Sequence, residues 1–282
     1  MRFWLGLLGL GALGVAACDG TQGTLVVRRD ASGSSGSGGS SPETTLYVPA
    51  ENVAWQAKLS GAVDIAEDAE LFYLDAELQD SADLAQLHEQ GRHYICYLSA
   101  GSWEDFRDDA KAFPESALGS PLPNFENERW LDVRSPEVRQ LMQQRIERLG
   151  ALGCDGIPPS SLAVHAADTG LGLTQEDALD YARWLAERIH AAGMSAGLAA
   201  PLELTRELWP SFEFGLAIGC LQGSGCAEFA PFVEAHRPVL HIELGDEDAA
   251  PGICKMAEAL GFEPLVTSAS FNGQSVRCRD IL

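Results

Sequence analysis

Chemistry in this chain falls to its carboxylates, because the other reactive side chains are not spaced for work. The six histidines, His88, His93, His165, His190, His236 and His241, show no metal-ligand spacing, and no cysteine pair has the form of a zinc ribbon. No metal and no cofactor is therefore expected. Ser160 and Ser161 follow Pro158-Pro159, but the Gly-x-Ser-x-Gly turn that exposes a serine nucleophile is absent. Among the acids, Asp75 and Glu243 each close a short apolar run, and Glu104 stands in the segment that follows another. Asp132 and Arg134 read first as a structural ion pair. Asp75 and Glu243 suit either ligand contact or a buried hydrogen-bonding role, and Trp103 either stacking on a ligand or packing in a loop. His88 and His190 fall toward the ends of predicted helices and read as solvated caps.

The elements that must position these acids alternate regularly. Short apolar runs at Trp55–Leu59, Leu71–Asp75, Tyr94–Ser99, Cys154–Ile157, Ser195–Ala199, Gly215–Ile218, Val239–Glu243 and Leu265–Ser268 read as eight strands. Between them lie helices with mechanical start and stop signals. Ser135-Pro136-Glu137 supplies an N-cap, a proline at the first helical position and an acidic first turn, after which Val138, Leu141, Met142 and Leu149 share a face. Thr174 and Asp177 form a capping box, Ala178, Ala182, Leu185 and Ile189 a stripe, and Gly193 is placed to end the helix. Strand–helix alternation with short links implies a parallel sheet. Eight units without a nucleotide-binding glycine pattern favour an α/β fold of the (β/α)8 TIM-barrel type, an open doubly wound sheet being the alternative. In a barrel the functional residues stand at the C-terminal strand ends, which is where Asp75, Ser160, Ile218 and Glu243 fall.

At those ends the chain resembles a known family. Ile95-Cys96-Tyr97-Leu98-Ser99-Ala100-Gly101-Ser102-Trp103-Glu104 is similar to the endo-α-1,4-polygalactosaminidase family of glycoside hydrolases. Trp55-Gln56, Trp130-Leu131-Asp132-Val133-Arg134, Gly153-Cys154-Asp155-Gly156-Ile157 and the Cys220 to Cys226 segment follow in the family's order, so the resemblance runs from Trp55 to about Cys278. It implies a (β/α)8 barrel and hydrolysis of α-1,4-linked galactosamine polymers, which are cationic where deacetylated. Asp75, Glu104, Asp132 and Glu243 match family positions, and with Trp103 they are the residues the resemblance offers for a carbohydrate cleft.

The departures fall on the chemistry. Where the family has Glu-Pro-Asp-Asn after its fourth strand, this chain has Pro158-Pro159-Ser160-Ser161, so Ser160 stands at the expected catalytic aspartate. The family's Lys-Asn-Asp becomes Ala199-Ala200-Pro201, and its Asn-Glu-Gln-Cys becomes Ala217-Ile218-Gly219-Cys220, with Ile218 at the expected glutamate. Glycoside hydrolysis needs one carboxyl as acid and another as nucleophile or base. The expectation is thus a catalytically inactive barrel that binds an amino-sugar polysaccharide. An active hydrolase using displaced carboxylates such as Asp75 and Glu243, and a structural envelope protein, are the alternatives.

The ends and the composition bound the setting. Arg2 followed by an apolar and small-residue run to Ala17 reads as a signal peptide, and Val15-Ala16-Ala17-Cys18 as a bacterial lipoprotein site with Cys18 acylated. Residues 18–45, with a Gly/Ser core from Ser32 to Ser41, read as a flexible tether, and 46–282 as one barrel domain. An exported, lipid-anchored protein of the cell envelope is the expectation, touching the membrane through its N-terminal lipid alone. Beyond Cys18 six cysteines remain. Cys220 and Cys226 suit a small disulfide loop, Cys254 and Cys278 a C-terminal tie, and Cys96 and Cys154, inside apolar runs, read as buried thiols. A net charge of −22 excludes nucleic acid as a partner and suits a cationic polymer, though solubility alone explains many acidic surfaces.

Overall fold

The computed structural model describes residues 24–26 and 45–281. The predicted signal peptide, Cys18 and the Gly/Ser core of the tether lie outside the described residues. Within the stretch read as tether, Thr24–Val26 pairs antiparallel with Thr45–Tyr47.

Eight strands run parallel and neighbour one another in chain order: β1 (Trp55–Lys58), β2 (Leu71–Leu74), β3 (His93–Cys96), β4 (Gly156–Ile157), β5 (Ser195–Leu198), β6 (Phe214–Ile218), β7 (Val239–Leu244) and β8 (Glu263–Thr267). Each overlaps its predicted run. The strands join into a nearly closed barrel. A C-terminal strand, Ser275–Arg277, adds antiparallel to β8, and the seam to β1 is bridged by Lys58 with Asn272 and by the Trp55 indole, which donates to Glu263 O at 3.1 Å. Inside, Trp55, Leu71, Tyr73, Ile95, Phe214, Leu216, Leu240, Ile242 and Leu265 fill the lumen, so the barrel is a packed core and not a channel.

Among the described residues six helices cover the outside: α1 (Ser81–Glu89), α2 (Pro136–Ala151), α3 (Gln175–Ala191), α4 (Leu202–Leu208), α5 (Ala230–Glu234) and α6 (Ala250–Glu258). Their ends follow the sequence signals. Ser135 Oγ accepts from Val138 N, the Thr174–Asp177 capping box is reciprocal, and Gly193 at φ +84° closes α3 where a side chain would strain. Val138, Met142 and Leu149 of α2, and Ala178, Ala182, Leu185 and Ile189 of α3, are buried against the sheet. The β1–β2 link carries no helix, and the β3–β4 link inserts an antiparallel ribbon, Ser102–Glu104, Leu118–Leu122 and Phe125–Leu131, before α2. Periodicity signals α2 and α3 but not this ribbon.

Among the described residues three disulfides staple the barrel: Cys96–Cys154, Cys220–Cys226 and Cys254–Cys278. The last two match the expected pairs. Cys96 and Cys154 are not free thiols. The parallel pairing of β3 with β4 brings their Cα atoms to 5.8 Å across 58 residues of chain, a proximity no local spacing announces.

Candidate active site

The C-terminal mouth of the barrel is organised where β3 and β4 end. β3 breaks at Tyr97, and the chain resumes as Leu98–Ser99, which pairs parallel with Pro159–Ser160 beyond β4. Ala100 N and Gly101 N both donate to Ser160 O, at 3.2 and 3.3 Å. A Cβ on Gly101 would lie 1.8 Å from Ser161 O, so the Ala-Gly step of the family segment exists to let the two strand ends touch. Ser160 Oγ donates to Leu98 O at 3.2 Å, and Ser161 holds the left-handed conformation, φ +61°.

Beside these serines lies a buried ionic cluster around Arg107. Its guanidinium grips Asp75 with two hydrogen bonds, 3.1 Å to Oδ1 and 2.7 Å to Oδ2, donates to Glu104 Oε2 at 2.8 Å, and reaches Glu77 at 3.1 Å. Asp75 and Glu104 are almost wholly buried. Burial alone would make Arg107 less basic, but its hydrogen bonds to Asp75 and Glu104 reverse this and raise its pKa. The Tyr97 hydroxyl donates to Glu104 Oε1 at 3.3 Å, and burial, then the Glu104 charge, push that phenol well up.

A third acid comes from the ribbon. Glu128 is the direct cross-strand partner of Glu104, which sets two carboxylates side by side on one face. Ser102 Oγ donates to Glu128 Oε2 at 2.7 Å, and Ser102 in turn contacts Ser99 and Ser161. Burial raises the Glu128 pKa, and the neighbouring Glu104 adds to the shift against the opposing Ser102 hydrogen bond. The mouth thus joins Asp75, Glu104 and Glu128 to one guanidinium and a run of hydroxyls. Arg107, Glu128, Tyr97 and Ser102 were not singled out in the sequence. For Glu128 the only signal would have been its register with Glu104, which needs the ribbon.

The remaining predicted residues separate. Ile218, at the end of β6, is 48% exposed, and Leu244 stands exposed at the end of the adjacent β7. Glu243 does not join the mouth. It is buried with His241, whose Nε2 lies 3.1 Å from its Oε2, and the same oxygen accepts from Leu221 N, so it braces the Cys220–Cys226 loop. Burial lowers the His241 pKa, and the Glu243 charge opposes this. Asp132 forms the expected pair with Arg134 at 2.9 and 3.0 Å, and those hydrogen bonds hold its carboxyl below the usual range. Trp103 points to the opposite ribbon face from Glu104, packs on the core and donates to Ala110 O at 2.9 Å, which makes it a packed loop residue. His190 is not a solvated cap, since it pairs with the buried Glu213 at 2.8 Å; His88, in the last turn of α1, is solvated but also pairs with Asp155 at 2.9 Å, and only the tertiary fold supplies both partners.

A cavity of about 680 Å³ opens at the other, N-terminal end of the barrel, lined by Trp55, Arg237, Glu263 and Arg279 among others. No carboxylate stands at Ser160 or Ile218 to face a substrate.

Residues 38–282 match the model of glycoside-hydrolase family GH114. Among solved structures, the chain is 31% identical to Ega3 of Aspergillus fumigatus, in complex with galactosamine, over 82% of this chain and 97% of that one, with a TM-score of 0.78. The glycoside hydrolase domain of PelA from Pseudomonas aeruginosa shares the fold at 18% identity, covering 79% of this chain and 98% of that one, with a TM-score of 0.63. No curated protein matches the chain.

Proposed function

Because the chain belongs to glycoside-hydrolase family GH114, the polygalactosaminidases, we propose that it is a member that has lost hydrolysis and binds an amino-sugar polymer at its barrel mouth. In this reading it is held at the bacterial cell envelope by a lipid on Cys18. The observation that carries it is the pair of residues at the positions where the family resemblance expects its acid and its nucleophile or base. Ser160 spends its hydroxyl on Leu98 O, and Ile218 offers a bare hydrocarbon. Acid–base help contributes on the order of 10²–10⁴-fold and covalent catalysis more, so losing both leaves hydrolysis near background. Asp75 and Glu243 do not replace them, since one is clamped by Arg107 and the other is buried behind the Cys220–Cys226 loop.

Binding rests on charge. Three carboxylates, Asp75, Glu104 and Glu128, gather around Arg107, and the excess negative potential suits an ammonium group. Galactosamine in the Ega3 complex is a ligand of that chemistry. A structural envelope role is the second reading, favoured by the way Arg107 fills the space between Asp75 and Glu104.

Two measurements on the purified protein decide. Release of reducing ends from partially deacetylated polygalactosamine should be absent, and appear in a Ser160→Asp/Ile218→Glu variant. Turnover by the unmodified protein overturns the loss of hydrolysis. Calorimetry should detect polygalactosamine; silence toward it, chitosan and cell-wall glycans leaves the structural role. Mass spectrometry of the mature N-terminus should find diacylglycerol on Cys18, and its absence removes the anchor.

A further inference from the structure

A cluster that the mouth does not use lies at the N-terminal end of the barrel. His88 sits near the end of α1, His93 opens β3, and Asp155 immediately precedes β4. Parallel pairing of β3 with β4 gathers them, and one donor atom from each lies within 4.8 Å of the other two. His88 Nε2 is 2.9 Å from Asp155 Oδ2 and His93 Nδ1 is 3.1 Å from Asp155 Oδ1.

The donors are held, not loose. The His93 ring stacks on Tyr47 with centroids 3.8 Å apart, and the His88 ring on Tyr94 at 4.6 Å. Tyr94 N donates to Asp155 Oδ2 at 2.9 Å, fixing the carboxylate. His88 Nε2 and His93 Nδ1 both face the Asp155 carboxylate, so an ion seated among them takes the place of a shared ring proton. Both imidazole edges remain partly open to solvent, which leaves room for a water. We propose that His88, His93 and Asp155 form a binding site for a borderline divalent cation of the zinc type, with water completing a tetrahedron.

Two imidazoles and a carboxylate are the donor set such ions take, at about 2.0–2.2 Å from each ligand atom. Donors in a tetrahedron of that size are about 3.3 Å apart, so no pair need close by more than about 1.5 Å. The backbone amide on Asp155 and the stacked tyrosines supply the outer shell that orients ligands in metal sites. The ion ties α1 and the Tyr47 segment to the base of β3 and β4, next to the Cys96–Cys154 disulfide, which gives it a structural role remote from the sugar mouth. The buried grouping of Cys220, Cys226 and His241 is no rival, because its sulfurs are bonded to each other.

The test titrates Zn²⁺ into chelator-treated full-length protein by calorimetry and Co²⁺ by visible absorption. One equivalent of zinc should bind, the melting temperature should rise, and cobalt should show tetrahedral d–d bands. His88→Gln and His93→Gln should each weaken binding at least tenfold and abolish the bands, whereas His236→Gln, at an exposed site elsewhere, should change neither. Far-UV circular dichroism without metal verifies that each variant folds. If His93→Gln does not, His88→Gln carries the same expectation from the end of a helix. Absence of saturable zinc binding, or binding that survives in both variants, overturns the site.

Discussion

At Arg107 one guanidinium meets Asp75, Glu104 and Glu77 in a largely dry setting. Removing it strands the buried carboxylates, so Arg107→Ala should cost about 3–5 kcal/mol in denaturant unfolding. Arg107→Lys should recover little, because an ammonium cannot reproduce the two-pronged grip on Asp75. Glu128 behaves differently. Burial and Glu104 raise its pKa, and affinity for an amino sugar should rise as pH climbs through its titration. Calorimetry across that range in wild type and Glu128→Gln checks this, and an unchanged slope in the variant counts against Glu128 as the amine's partner. Ser161 belongs to the same scale. Its φ of +61° is a conformation that asparagine adopts more readily than serine, so Ser161→Asn should leave stability equal or higher by a few tenths of a kcal/mol.

Among the elements, the ribbon between β3 and α2 positions the chemistry, because it carries Ser102, Glu104 and Glu128 over the strand ends. Gly101 is the joint. Gly101→Ala would drive a methyl into Ser161 O and should lower the melting temperature by well over the ~2–4 °C that 1 kcal/mol moves a domain of this size. Asp109, ahead of α2, ties the ribbon segment to that helix through Arg145 and Arg148, at 2.6 and 2.7 Å. Burial disfavours its charge, but the Arg145 and Arg148 hydrogen bonds win and bring its pKa down to about 2. Since the folded value lies below the unfolded one, the stabilisation is complete above about pH 4 and fades as pH falls toward 2. Asp109→Asn should flatten the acid limb of a stability-against-pH curve over that window.

Across the whole molecule, Cys96–Cys154 closes 58 residues and joins two strands of the barrel wall. Loop entropy predicts about 4 kcal/mol for that bond and about 2 kcal/mol for the six-residue Cys220–Cys226 loop. Cys96→Ala/Cys154→Ala should therefore lower unfolding stability more than Cys220→Ala/Cys226→Ala. Equal losses would place the value of both bonds in native packing. The barrel also separates these features by its ends: the acidic mouth lies at the C-terminal strand ends, and the His88–His93–Asp155 cluster and the 680 Å³ cavity at the other.

Strand and helix alternation, the caps at Ser135 and Thr174, and the family's segments were legible along the chain because each is written within a few residues or in a simple period. The expectation that Ser160 and Ile218 stand where the family carries its carboxylates likewise needs only motif order. Four things were decided by tertiary structure alone: the Cys96–Cys154 bond, the clamp of Arg107 on Asp75, the turn of Glu243 away from the mouth, and the meeting of Glu128 with Glu104. All four depend on which distant residues share a face. Strand register and barrel closure set that sharing, and no local pattern encodes it.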